Sequence, residues 1–171
     1  MIQRVRQFFR ALHAHLSENE KRLVAAHLNE EERRLFYAMH PIDQAHAVHV
    51  AETAARLADE AEEQGCGMPR EFLLRCALLH DVGRVKGDLD LWGKVWAVLA
   101  HHYLPKLSRR LADGKCVHFL YVYYHHAEIG AEKLRAIGDD DIADVIRWHH
   151  SPAKPGDGMA LNLLREADER N

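Results

Sequence analysis

The 171-residue chain has little cysteine: Cys66, Cys76 and Cys116 are irregularly spaced and form no CxxC pair. Three such thiols exclude the disulfide framework of a small secreted domain and point to a reducing compartment. No apolar run approaches the ~20 residues that a bilayer-spanning helix needs. The opening MIQRVRQFFRALHAHL lacks both a signal-peptide core and a small-residue cleavage site, so the expectation is a cytoplasmic protein with no membrane span. A long basic block is missing too, and the net charge is -3. That removes the electrostatic footprint for wrapping long nucleic acid, while single nucleotides stay open as ligands.

What the chain does have is histidine, fourteen in all, within an otherwise ordinary balance of 47% hydrophobic and 29% charged residues. That balance and length suit one globular unit with a single core. Ile2, Val5, Phe9, Leu12 and Leu16 recur at helical spacing, which predicts an amphipathic helix packed on the domain or on a partner subunit. Two short helices are expected in ENEKRLVAAHL and EEERRLFYAM, and residues 1–40 read as a helical extension to a domain over 41–171. A long helix over 43–64, with Asp43 as its N-cap, leads that domain. The motif helix follows Pro69. Further helices are expected in LDLWGKVWAVLAHHYL, VHFLYVYY, HAEIGAEKLRAIG, DDDIADVIRWHH and MALNLLREADER. VHFLYVYY has strand-like composition but no partner strand, so the fold class is all-α.

Several polar residues fall on apolar stripes of these helices. His46 shares one with Val50, Ala54 and Leu57; His80 with Leu73, Cys76 and Ala77; His126 with Gly130 and Leu134. His149 and His150 line up with Ile142, Val145 and Ile146, and Asp168 with Leu161 and Leu164. Burying each alone is costly, so something must pair them. Any single buried histidine is more often satisfied by one hydrogen bond than by a metal. Imidazoles and a carboxylate together form a donor set for divalent transition metals.

Five segments, HAVHVAETAARLA, CALLHDVGR, HAEIGAEKLRAIG, IADVIRWHH and LLREAD, occur in an order that resembles the HD phosphohydrolase superfamily, in its dinuclear branch with HDIG and HD-GYP domains. The resemblance implies a helical bundle with a metal site in its core. It assigns His46, His80, Asp81 and Asp168 to one ion and His126, His149 and His150 to a second, with Asp81 bridging. It implies two divalent transition-metal ions, Fe or Mn favoured, and a bridging hydroxide as nucleophile. The implied activity is phosphohydrolase or phosphodiesterase action on a small phosphorylated substrate, a nucleotide or cyclic dinucleotide.

The sequence departs from that branch at two places. Arg84 stands where the branch usually carries Lys; four residues beyond His80, a continued helical turn would aim it at the same cleft, where an arginine can meet phosphate through two bonds. Asp81 and Arg84 are therefore the expected catalytic pair. The GYP loop is replaced by SPAKPGDGMA, which argues against cyclic di-GMP and leaves little room for a lid from that side. Two other readings remain: a di-iron oxygenase of the same fold, and a non-catalytic metal-binding regulatory module. Among the other histidines, His49 is expected beside the site, His125 is a weaker ligand candidate than His126, and His101 and His102 read as a helix end before Pro105. The basic run with Lys106, Arg109 and Arg110, like Lys86, could add positive potential but is more economically read as surface charge. A homo-oligomer through the N-terminal helix is the expected assembly.

Overall fold

The computed structural model describes residues 15–88 and 91–171. Among them lie nine helices and no strand, in line with the all-α expectation. The helix expected over residues 2–16, and the subunit contact assigned to it, lie outside the described residues apart from its last two positions.

Helices α1 (Glu18–His27) and α2 (Glu30–Ala38) each start from a capping box, Ser17 with Glu20 and Asn29 with Glu32, which satisfies backbone N–H groups that a helix start leaves open. The long α3 runs Pro41–Glu63. Its start corrects the Asp43 assignment: Pro41, with its fixed φ and no N–H to lose, occupies the first turn, and the cap is His40, whose Nδ1 accepts from the Ile42 N–H at 3.3 Å. Asp43 instead lies inside the first turn and is buried. Helix α4 (Arg70–Leu79) packs against α3, and α9 (Met159–Glu169) packs against both. Helices α7 (His118–Ala136) and α8 (Asp140–Ile146) close the bundle. VHFLYVYY is the first half of α7, a helix despite its aromatic content.

One core joins these elements, from Val24, Phe36 and Met39 of the N-terminal segment through Val48, Leu78 and Leu79 to Leu134, Ile146 and Leu164. Residues 16–39 thus share the interior of the domain that follows them. The Met39–Val85 bridge and the Lys86 N–H to Ala38 carbonyl bond at 2.9 Å tie the loop after α4 to the end of α2. A second, small core of Ala97, Ala112 and Leu120 holds α5 (Leu91–Tyr103) and α6 (Pro105–Asp113) against the first half of α7. This α5–α6 hairpin walls one side of the site.

Candidate metal centre

Helix α4 ends at Leu79, so His80 is its C-cap and Asp81 begins a tight turn, with Val82 N–H bonded to the Leu79 carbonyl and Arg84 N–H to the Asp81 carbonyl. Leaving the helical path is what lets two adjacent side chains face one cleft. The turn is pinned from α7: Lys133 Nζ donates to the Val82 carbonyl at 3.0 Å, and Gly83 sits so close to His126 that a Cβ there would lie 1.9 Å from its carbonyl oxygen. Only glycine permits that approach. The adjacent His149 and His150 use the same device, since α8 ends at Ile146 and both follow in a turn.

Three imidazoles are oriented alike. His80, His126 and His149 each donate Nδ1–H to the carbonyl three residues earlier, at 2.8, 3.0 and 2.6 Å from Ala77, Tyr123 and Ile146. This fixes the tautomer and leaves each Nε2 with its lone pair turned away from its own backbone. His46 Nε2 lies 3.0 Å from Asp168 Oδ1, and His80 Nε2 lies 3.6 Å from Asp81 Oδ2 and 3.7 Å from Asp168 Oδ1. On the other side of Asp81, Oδ1 is 3.3 Å from His126 Nε2. His126, His149 and His150 are in mutual ring contact.

All seven residues expected as ligands therefore meet in one place, drawn from five helices and their ends. Their donor atoms form three overlapping groups within 4.8 Å: His46, His80 and Asp81; Asp81, His126, His149 and His150; and His80, His149 and Asp168. Asp81 belongs to the first two. Buried among them, His80 Nε2, His149 Nε2 and Asp81 Oδ1 have no hydrogen-bond partner. Polar atoms in that state are expensive, and this set of nitrogens and carboxylate oxygens suits a divalent transition metal.

The charges are arranged for the same purpose. Burial alone would raise the Asp81 carboxyl, yet Arg84, His80 and His126 hold it well below the usual carboxylate range. Asp168 is likewise resisted by burial but brought down to about 2, chiefly by its bond from His46. His126 is pushed well below its usual value by burial and by Arg84, and His149 falls to about 3 through burial and its neighbours His150 and His80. The carboxylates are thus ionised and these two imidazoles neutral, the protonation states in which they ligate.

Arg84 lies within the cluster itself. Its NH1 donates to Asp81 Oδ2 at 2.6 Å and its NH2 to His126 Nε2 at 2.9 Å, three residues after Asp81 in the turn rather than on a continued helix.

Outside the cluster opens a cleft of about 600 Å³, with Arg84, His126 and His150 at its inner end. Its walls add to the sequence reading, with His101 in the last turn of α5 as expected. His101 lines the cleft and shares a hydrogen bond of 2.9 Å with the Tyr124 hydroxyl, which is also 2.8 Å from Ser108 Oγ. Arg109 lies over the Tyr124 ring and Arg147 over the Trp148 ring, at 5.3 and 5.4 Å, and all four line the cleft. Of the basic run, Arg109 is thus a wall residue. Trp148 directly precedes the histidine pair, a signal available in the sequence; the role of His101 and Arg109 depends on how the α5–α6 hairpin folds back. His49, expected near the site, is exposed on the far side of α3's buried face, and Lys86 is also exposed. His125 pairs with Asp113 at 3.2 Å and joins none of the donor groups.

Against known proteins, no curated protein and no solved structure matches the chain. The family model for the HD domain matches residues 44–169, the span from just before His46 to just after Asp168. The chain, with its clustered histidines and aspartates, belongs to the HD-domain family.

Proposed function

We propose that this protein is a metal-dependent phosphohydrolase or phosphodiesterase with a dinuclear site, acting on a nucleotide or cyclic dinucleotide, with Fe or Mn as its metal. The observation that carries the reading is Asp81: one buried carboxylate shared by two donor groups, with His46 and His80 on one side and His126, His149 and His150 on the other. Divalent ions held there would supply Lewis acidity toward a phosphoryl oxygen and lower the pKa of a nucleophilic water.

The protein's own part is positioning. The backbone carbonyls of Ala77, Tyr123 and Ile146 fix the rings of His80, His126 and His149 through Nδ1, while His46 and Asp168, both expected ligands, hold each other through Nε2 and Oδ1. The cleft would hold the rest of the substrate. Arg109 and Arg147 offer charge to a phosphate, and the Trp148 and Tyr124 rings offer faces on which a base can stack. These cations favour a phosphoester over the substrate of an oxygenase.

Metal analysis of anaerobically purified protein, followed by assays with bis(4-nitrophenyl) phosphate and a nucleotide panel, tests the reading. Hydrolysis that requires metal and falls to background in Asp81→Ala, with loss of both ions, is the expected result. Two bound metals with oxygen consumption and no ester hydrolysis would sink it.

A further inference from the structure

The position of Arg84 has a consequence for metal loading, which rests on the dinuclear reading proposed above. The Nδ1 of His126 is committed to donating to the Tyr123 carbonyl, so Nε2 is its single acceptor site. Arg84 NH2 donates to that nitrogen at 2.9 Å. An imidazole nitrogen has one lone pair, which can accept a hydrogen bond or bind a metal but not both. Arg84 and a cation in the group Asp81, His126, His149 and His150 therefore exclude one another at His126.

The other side of the cluster is different. Arg84 touches neither His46 nor His80, and its bond to Asp81 Oδ2 leaves that carboxylate oxygen further acceptor capacity. The two donor groups thus carry different costs. Filling the His46 side parts His46 Nε2 from Asp168 Oδ1 but leaves Arg84 on His126; filling the His126 side requires the guanidinium to leave its two charge-assisted bonds. An exit exists, because Arg84 also lines the inner end of the cleft, where an anion would meet it.

We infer that Arg84 is a removable internal cation that weakens metal binding at His126, His149 and His150, and that a phosphate in the cleft restores it by drawing Arg84 away. Phosphate and the second metal then bind cooperatively, and by linkage each strengthens the other equally.

The test is a Mn(II) titration of the chelator-stripped full chain, with free Mn(II) read by electron paramagnetic resonance, with and without inorganic phosphate. Wild type should show two classes of site, the weaker by at least about tenfold. Arg84→Gln, which keeps the stem but removes the charge, should tighten the weaker class by about tenfold and leave the stronger unchanged. Phosphate should tighten the weaker class in wild type and not in the variant, with a protein-free titration correcting for the Mn(II) that phosphate itself complexes. Two equal classes in wild type, or a weaker class unmoved by both Arg84→Gln and phosphate, would overturn the inference while leaving the dinuclear reading intact. A wild-type chain that binds no Mn(II), Fe(II) or Zn(II) would overturn both. Phosphate that tightens the weaker class as much in Arg84→Gln as in wild type would mean that it ligates the metal directly, and would overturn the inference; Arg84→Met, of similar length and also uncharged, repeats the comparison if Arg84→Gln does not fold.

Discussion

Gly83 shows how tightly single residues set this site. The Cβ of an alanine there would fall 1.9 Å from the His126 carbonyl oxygen and 2.7 Å from its carbonyl carbon, which are backbone atoms that cannot rotate away. Across the same contact, a Cβ on Gly130 would come 3.1 Å from the Gly83 nitrogen. The turn carrying His80 and Asp81 thus rests directly on the helix carrying His126. Gly83→Ala should cost about 3 kcal/mol or more, because the clash must be relieved by separating two backbones. Chemical denaturation would measure it, and bound metal should fall with it even in the folded fraction. An alanine variant of wild-type stability and metal content would show that the turn and helix are not in this contact. The glycine was visible in CALLHDVGR, but what it touches was not, since Gly83 and His126 are distant in sequence.

At the scale of elements, the bundle is fastened away from the site by a buried ion network. Glu32 is 1% exposed and accepts from Arg75 Nε and NH2 at 3.0 and 2.7 Å through Oε1, while its Oε2 accepts from the Asn29 N–H at 2.7 Å. Arg75 NH2 also reaches Asp139 at 3.0 Å. One side chain of α4 therefore joins the start of α2 to the start of α8. Arg75→Ala would leave a buried carboxylate with only its capping bond, a loss of about 2 to 3 kcal/mol given that Arg75 itself is partly open to water. Arg75→Ala combined with Glu32→Gln should recover part of it, which a double-mutant cycle on the unfolding free energy would read; additivity of the two changes would show the pair to be uncoupled. Most helices were legible from periodicity, though VHFLYVYY was read as helix for want of a partner strand rather than from its spacing. Helix ends were less so: Asp43 looked like a cap, and the placement of Pro41 in the first turn decided otherwise.

For the whole molecule, the buried histidines make stability depend on pH with a definite sign. His126 and His149 titrate lower in the fold than their usual 6.5, His149 at about 3. Between those values the unfolded chain binds more protons than the folded one, so stability falls as the pH drops from about 6.5 toward 3, by about 1.4 kcal/mol per pH unit for each such proton. The lowered carboxylates Asp81 and Asp168 add a further loss below about 4, where they are protonated in the unfolded chain first. His46 works in the opposite sense: its value is raised, since its bond to Asp168 and the Asp81 charge overcome burial, so its contribution disappears as the pH rises above that raised value. With three lowered histidines, since burial brings His150 down as well, against one raised, metal-free protein should lose thermal stability steadily from pH 6.5 to 4.5. A melting temperature that stays level over that range would contradict the buried neutral state of His126 and His149.

Composition, periodicity and motif order were enough to determine an all-α chain with its histidines on inward faces, because helical spacing and the cost of burying an imidazole are local properties. The ordered segments also named the seven residues that converge. The tertiary structure alone decided where Arg84 and the cleft walls stand. Arg84 reaches Asp81 and His126 rather than solvent because α4 stops at Leu79 and the chain turns, and because α7 packs against that turn. His101 and Arg109 reach the cleft because the small core of Ala97, Ala112 and Leu120 folds the α5–α6 hairpin onto α7. Both outcomes depend on contacts between segments far apart in the chain, and no local spacing encodes them.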